Sequence, residues 1–152
     1  MTADQNTRTD AIKVRGIFTM LKRDATTDEI LEEYIDRNLV VNVGRDNLAQ
    51  LLGGGSGTEV SQFSAGTNGA DPLVTDTAIT SPFTKAVTSV TYPATGQVAF
   101  NWSIEANEAN GLDIREFGLI LATSGDLFAR KTRSLISKDN TFRLEGTWTI
   151  IF

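Results

Sequence analysis

The side chains best equipped for chemistry in this 152-residue chain are its carboxylates. Glu105, Glu108, Asp113 and Glu116 form the densest group, gathered on and beside one turn. A glycosidase needs two carboxylates roughly 5–10 Å apart across a sugar, and strands joined by a turn reach that spacing. With Asn107 and Asn110, the residues Glu105, Glu108 and Asp113 also offer oxygen ligands of the kind calcium takes, although their order does not follow an EF-hand loop. Asn68, Asp71 and Asp76 make a second oxygen-rich set. The plainer reading of both sets is turn formation, because Asn and Asp hydrogen-bond their own backbone and acidic turns are readily solvated. On that reading no catalytic, cofactor-binding or metal-ligating residue is assigned, and no cofactor is expected.

The remaining chemical kit is thin. Histidine and cysteine are both absent from the chain. This removes the commonest general base and metal ligand, the thiolate nucleophile and the structural zinc site. No disulfide can form, so stability must come from packing. The glycines at 53–57 invite comparison with a phosphate-cradling loop, but they follow a helical pattern instead of opening one, and no Gly-Lys-Ser/Thr follows. Net charge is −5, and the nearest approach to a basic cluster is Arg130, Lys131 and Arg133, read as the solvated face of a strand. Direct nucleic-acid binding is not expected. No apolar run approaches the roughly 20 residues of a membrane helix, and the polar residues 1–10 lack the apolar core of a signal peptide. The chain is expected not to be an enzyme.

The elements that would position these residues are mostly strands. Residues 11–23 alternate with apolar side chains on both parities, Ile12, Val14 and Phe18 against Ile17 and Leu21, which implies cover on both faces. Residues 29–42 read as a second strand, acidic early and apolar late. Residues 44–52 form the one helix, with Leu48, Leu51 and Leu52 in an apolar stripe that should dock on the sheet, and Gly53, Gly54 and Gly55 end it. Val60–Gly66, 83–92, the alternating run Val98, Phe100, Trp102 and Ile104, 114–121, 127–133 and the run from Phe142 to Phe152 complete about eight strands. Turns every 8–12 residues in the second half point to an antiparallel β-sandwich, or a barrel-like relative, over residues 11–152. Trp102 and Trp148 fall on buried parities as core anchors. The polar stretch 67–82 is long for a connection and is expected to have a role.

Two features point to assembly. The apolar run from Trp148 to Phe152 should be paired inside a sheet, since an exposed edge of that kind aggregates. The polar arm, residues 1–10, is expected to be held by neighbouring subunits.

Several segments, taken in order, resemble small virion proteins of tailed bacteriophages. Asn38-Leu39-Val40-Val41-Asn42-Val43-Gly44-Arg45 followed by Leu48-Ala49-Gln50-Leu51-Leu52 is similar to that family's opening segment and short helix. Phe63-Ser64-Ala65-Gly66-Thr67 and Asp76-Thr77-Ala78-Ile79 resemble its Gly-Thr-rich loop and a Thr-Asp-Thr-Ala-Leu motif, with Ile79 where Leu is usual. Glu108-Ala109-Asn110-Gly111-Leu112, Glu116-Phe117-Gly118-Leu119, Leu127-Phe128-Ala129-Arg130-Lys131 and Gly146-Thr147-Trp148-Thr149-Ile150 continue the series. The resemblance implies a non-enzymatic structural component of the neck, collar or tail, built into virions in the bacterial cytoplasm. Its expected partners are copies of itself and other virion proteins. A receptor- or glycan-binding module of a fibre or spike, and a capsid-decorating protein, are the alternatives.

Overall fold

The computed structural model describes residues 13–152. The expected arm, residues 1–10, lies outside them. The order of elements is β1 (Arg15–Asp24), β2 (Ile30–Val40), α1 (Asn42–Leu52), β3 (Val60–Gly66), β4 (Phe83–Ala86), β5 (Ser89–Thr91), β6 (Gln97–Ile104), β7 (Asp113–Leu121), β8 (Leu127–Ser137) and β9 (Phe142–Ile151). The fold is mainly β with one short helix. All nine strands belong to one curled antiparallel sheet in the order β4-β3-β7-β8-β2-β1-β9-β6-β5.

The sheet bends into two halves that face each other. β2 runs beside β1 from Ile30 to Asn38 but touches β8 only through Leu39–Arg130 and Val40–Ala129. It is therefore a corner strand, passing from one layer to the other. The stretch 83–92, expected to be one strand, is two. β4 pairs with β3 and β5 with β6, at opposite ends of the sheet order. The switch occurs at Val87, whose N–H donates to Ser61 O, and Thr88, whose N–H donates to Asn101 O. The chain thus joins the two outermost strands, and a sheet of nine strands, not eight, closes into a flattened barrel-like sandwich.

Period-2 alternation explains the core. Trp102 and Trp148 point inward and are buried, as their parity requires. Phe63 of β3 stacks on Trp102 of β6 at 4.2 Å between ring centroids, and Phe18 of β1 on Phe117 of β7 at 4.9 Å. Each stack joins one half to the other, within the range where aromatic pairs attract. Gly146 in β9 sits opposite Trp102. A Cβ there would lie 2.8 Å from Trp102 Cζ2 and collide with Thr19 O, so the glycine makes room for the indole.

Helix α1 begins two residues earlier than its leucine spacing suggests, at Asn42, and ends as expected. Gly54 turns the chain at φ 71°, and the Gly55 N–H returns to Gln50 O. Its docking differs from the expectation. The buried helical residue is Gly44, where any Cβ would run into Phe128 O. Leu48 is half-buried, Leu51 is exposed, and Leu52 is 92% exposed. Close backbone approach at Gly44 brings the helix onto β8, Leu48 and Val43 pack against the two cores, and Leu51 and Leu52 are left on the surface.

Candidate functional site

The long stretch 67–82 is an Ω-type loop folded over the outer face of the β3-β7-β8 layer. Its neck closes where the Thr67 N–H donates to Thr80 O. Beneath it Arg130 and Glu116, both fully buried, form a pair with Nε donating to Oε2 at 2.7 Å. Arg130 Nη1 reaches Asp76 Oδ2 at 2.8 Å, and Nη2 reaches Asn68 O at 2.9 Å. The second oxygen of Glu116 accepts from the N–H groups of Thr80 and Asn68. Asp76 Oδ2 also accepts from the Leu73 N–H. Every arm of the guanidinium and both carboxylate oxygens are satisfied, as a buried ion pair requires.

An apolar contact seats the same loop. Ile79 is buried in a small second core with Val41, Ile120 and Leu127. It lies where Gly66 and Gly118 carry no side chains; a Cβ on Gly118 would lie 2.8 Å from Ile79 Cδ1. The loop is therefore a structural cover. Asn68 and Asp76 serve it through a turn to Ala70 N and the Arg130 clamp, while Asp71 stays exposed.

The basic cluster departs from its expected solvated strand face. Arg130 and Lys131 are buried, and the Arg133 side chain is nearly so. Lys131 Nζ pairs with Asp36 at 2.6 Å and Arg133 with Glu32 at 3.2 Å across the seam where β2 and β8 diverge. Tyr34 lies between them, 4.8 Å from the Arg133 guanidinium. The hydrogen bond from Lys131 holds the Asp36 carboxyl below the usual range.

The four carboxylates of the other candidate set are not brought together. Glu116 is inside the loop clamp. Asp113 meets Ser137. Glu105 and Asn107 are exposed. Glu108 caps the Glu105 N–H and pairs with Lys85 at 2.8 Å. Burial alone would raise the Glu108 carboxyl, but the bond from Lys85 and the Glu105 N–H hold it below its ordinary value. Among the described residues no group of three or more His, Cys, Asp or Glu side chains is arranged to hold a metal.

The oxygens of this turn have a different occupant, the Lys138 ammonium. Buried to 2% exposure, Nζ donates to Asp139 O at 2.8 Å, Asn110 Oδ1 at 3.0 Å and Ala106 O at 3.3 Å. Burial pushes its pKa below the ordinary lysine value, against the pull of Asp139, Glu108 and Glu105. Of the oxygen-rich set only the Asn110 carboxamide takes part, with the carbonyls of Ala106 and Asp139. Only the clustering of carboxamide and carbonyl oxygens was visible locally, since Lys138 lies in another turn.

Sequence reasoning also missed a groove of about 280 Å³ at one end of the sandwich. Leu48 and Leu51 of α1 form one wall; Val98, Phe100 and Ile150 form the floor. Tyr92, 77% exposed, and the half-exposed Phe152 stand at its mouth. Leu48 packs inward against the core while Leu51 stays at the surface. A second apolar set, Ile35 at 70% exposure and Leu31, lies on the outward side of β2. No described helix is long and apolar enough to cross a membrane. Comparison with protein-family models, curated proteins and solved structures gives no match.

Proposed function

We propose that this chain is a non-enzymatic structural protein of a tailed-bacteriophage virion, which oligomerises and contacts neighbouring virion proteins in the neck, collar or tail. The ordered motif series described above supports the phage assignment. The observation that carries the assembly reading is where apolar side chains are left. Leu51, Tyr92 and Phe152 around the groove, Leu52 beside them on α1, and Leu31 and Ile35 on β2 are exposed. Of the candidate catalytic carboxylates, Glu116 is held in the loop clamp and Glu108 in a cap. Large apolar side chains gathered on a surface favour protein contacts, and the aromatic members are those that dominate interface energetics. The test is quantitative mass spectrometry of purified particles, expected to recover the chain at a fixed copy number. Its absence from washed particles overturns the reading, and imaging of labelled chain separates neck, collar, tail and capsid surface.

One observation favours a second reading. Tyr92 stands exposed beside a groove, the arrangement a glycan-binding module of a fibre or spike would use. Binding to host-surface sugars that is lost in Tyr92→Ala would move the function there.

A further inference from the structure

Three kinds of free strand edge are present, and they are protected unequally. β4 and β5 are four and three residues long and are flanked by Pro82 and Pro93. Past its two contacts with β2, β8 carries Lys131 and Arg133. Short strands, prolines and basic side chains are the devices that keep edges from pairing. β2 is long and has no proline or lysine. From Ile30 to Asn38 it is paired on one side only, by β1, and its guards are charges alone: Arg37, and Glu32 and Asp36 turned to β8.

The backbone of β2 presents this edge. Val41, on the same parity as Arg37, donates its N–H to Phe128 O of β8, away from β1. The Arg37 N–H on that side is capped by the neighbouring Asp36 side chain at 2.7 Å, a bond that pairing must displace. Because N–H and C=O groups alternate sides along a strand, Ile35 and Glu33 also direct theirs away from β1. Outward from the sheet plane the same residues read Leu31, Glu33, Ile35 and Arg37, all exposed. Asp36 and Glu32 turn inward to Lys131 and Arg133.

We propose that β2 is a self-pairing edge, joining a second copy of this chain by antiparallel β2–β2′ pairing about a two-fold axis at Ile35. Only a register centred there sets Ile35 against Ile35 of the second copy and Glu33 against Arg37 on both sides of the axis. Centred on Glu33, the pairing would oppose two glutamates, and centred on Arg37, two arginines. Like charges directly opposite are destabilising and unlike charges favourable. The same surface patch used twice is what a two-fold contact demands, and the strand addition would extend each five-stranded half across the axis. This deepens the oligomerisation proposed above and rests on it.

The full chain should sediment as a dimer or a higher even-numbered oligomer. Ile35→Lys and Glu33→Arg each place like charges at or beside the axis, and each should raise the dissociation constant at least ~10-fold. The double variant Glu33→Arg with Arg37→Glu restores opposite charges and should recover the wild-type mass. The chain has no cysteine, so Ile35→Cys carries a lone thiol. Residues directly opposed at an exchange pair lie about 5.5 Å apart at Cα, within disulfide reach, and oxidation should give a covalent dimer on a non-reducing gel. Circular dichroism of each variant confirms folding. A monomeric wild type, an oligomer unmoved by Ile35→Lys, or a double variant that folds but stays monomeric overturns the β2 edge. An oligomer unmoved by Ile35→Lys leaves oligomerisation standing through another surface. A monomer recovered at fixed copy in particles leaves the virion reading standing without self-association.

Discussion

The two outer faces of the sandwich are finished in opposite ways. Over β3, β7 and β8 the chain lays its own 67–82 loop, locked by the Arg130–Glu116–Asp76 clamp and by Ile79 in its glycine notch. Over β1, β9 and β6 the outward side chains, apart from Ala99, remain exposed or half-exposed. There a polar row crosses the strands in the plane of the sheet. Thr19 Oγ1 donates to Thr147 O and accepts from its N–H, Thr147 Oγ1 bonds Asn101, and Asn101 bonds Ser89. The first face stores a buried charge that depends on all its partners; the second spreads small, solvent-adjusted interactions over many residues. The lesson is that the loop face should be brittle to single changes and the open face tolerant.

The sharpest way to break the comparison is Glu116→Ala. It leaves the Arg130 guanidinium buried without its main partner, a class of change that costs about 3–5 kcal/mol. Urea denaturation measures it, and a loss under about 1 kcal/mol would mean the loop does not seal the pair in solution. Replacing both partners, Glu116→Leu with Arg130→Met, should be milder than Glu116→Ala, since it removes the orphaned charge. Next in size is Ile79→Ala, expected to cost about 2 kcal/mol, near the low end for a buried isoleucine because its cavity opens toward the loop. Limited proteolysis should then cut within 67–82 earlier than in the wild type.

How far these differences could be read from the sequence depends on the range of the interaction involved. The alternation of Val98, Phe100, Trp102 and Ile104 needs only neighbours two apart and placed Trp102 in the core, as the shared parity of Phe142, Leu144 and Trp148 did for Trp148. The helix and its glycine stop were equally local. The break of 83–92 into β4 and β5 was not, because the corner at Val87 and Thr88 is dictated by Ser61 and Asn101, far along the chain. Arg130 looked solvated for a similar reason: its partner Asp76 arrives on a loop 54 residues away. Lys138 was invisible as a ligand because its acceptor Asn110 lies 28 residues before it. The stripe was right for Leu48, which packs on the core, and misled for Leu51 and Leu52 because the close contact to β8 is made at Gly44, two turns away.

Acid should affect the molecule through its seams and open edges. Hydrogen bonds from Arg143 to Asp28 and from Lys131 to Asp36 hold those carboxyls below the ordinary 3.8. For Glu145, burial would raise the value, but Arg23 and Arg143 outweigh it and hold it below 4.5. With folded values below unfolded ones, the unfolded chain binds more protons in that window. The stability these groups contribute is complete above the ordinary carboxylate range and is lost as pH falls through the folded values. Lys138 acts in the alkaline window: its folded value lies below 10.5, so stability should rise as pH climbs through the range just beneath that. Denaturation midpoints at pH 3, 7 and 9.5 test both signs. A midpoint that does not fall between pH 7 and pH 3 would remove these pairs from the account.

The smallest effect is the most informative about what covers the open face. Ile17→Thr keeps a β-branched side chain on β1 while removing apolar character from a half-exposed position. In the monomeric Ile35→Lys background it should change stability by no more than about 0.5 kcal/mol, as surface substitutions do. Ile120→Thr makes the same chemical change beneath the loop, where the side chain is buried with Ile79 and Leu127. A hydroxyl there loses its water and lacks a guaranteed partner, so the cost should exceed 1 kcal/mol. If the two substitutions cost the same in that background, the open face is covered in solution, and the contrast between the faces fails. If Ile17→Thr is silent there but costly in the oligomeric wild type, the oligomer covers this face through a contact additional to the β2 edge.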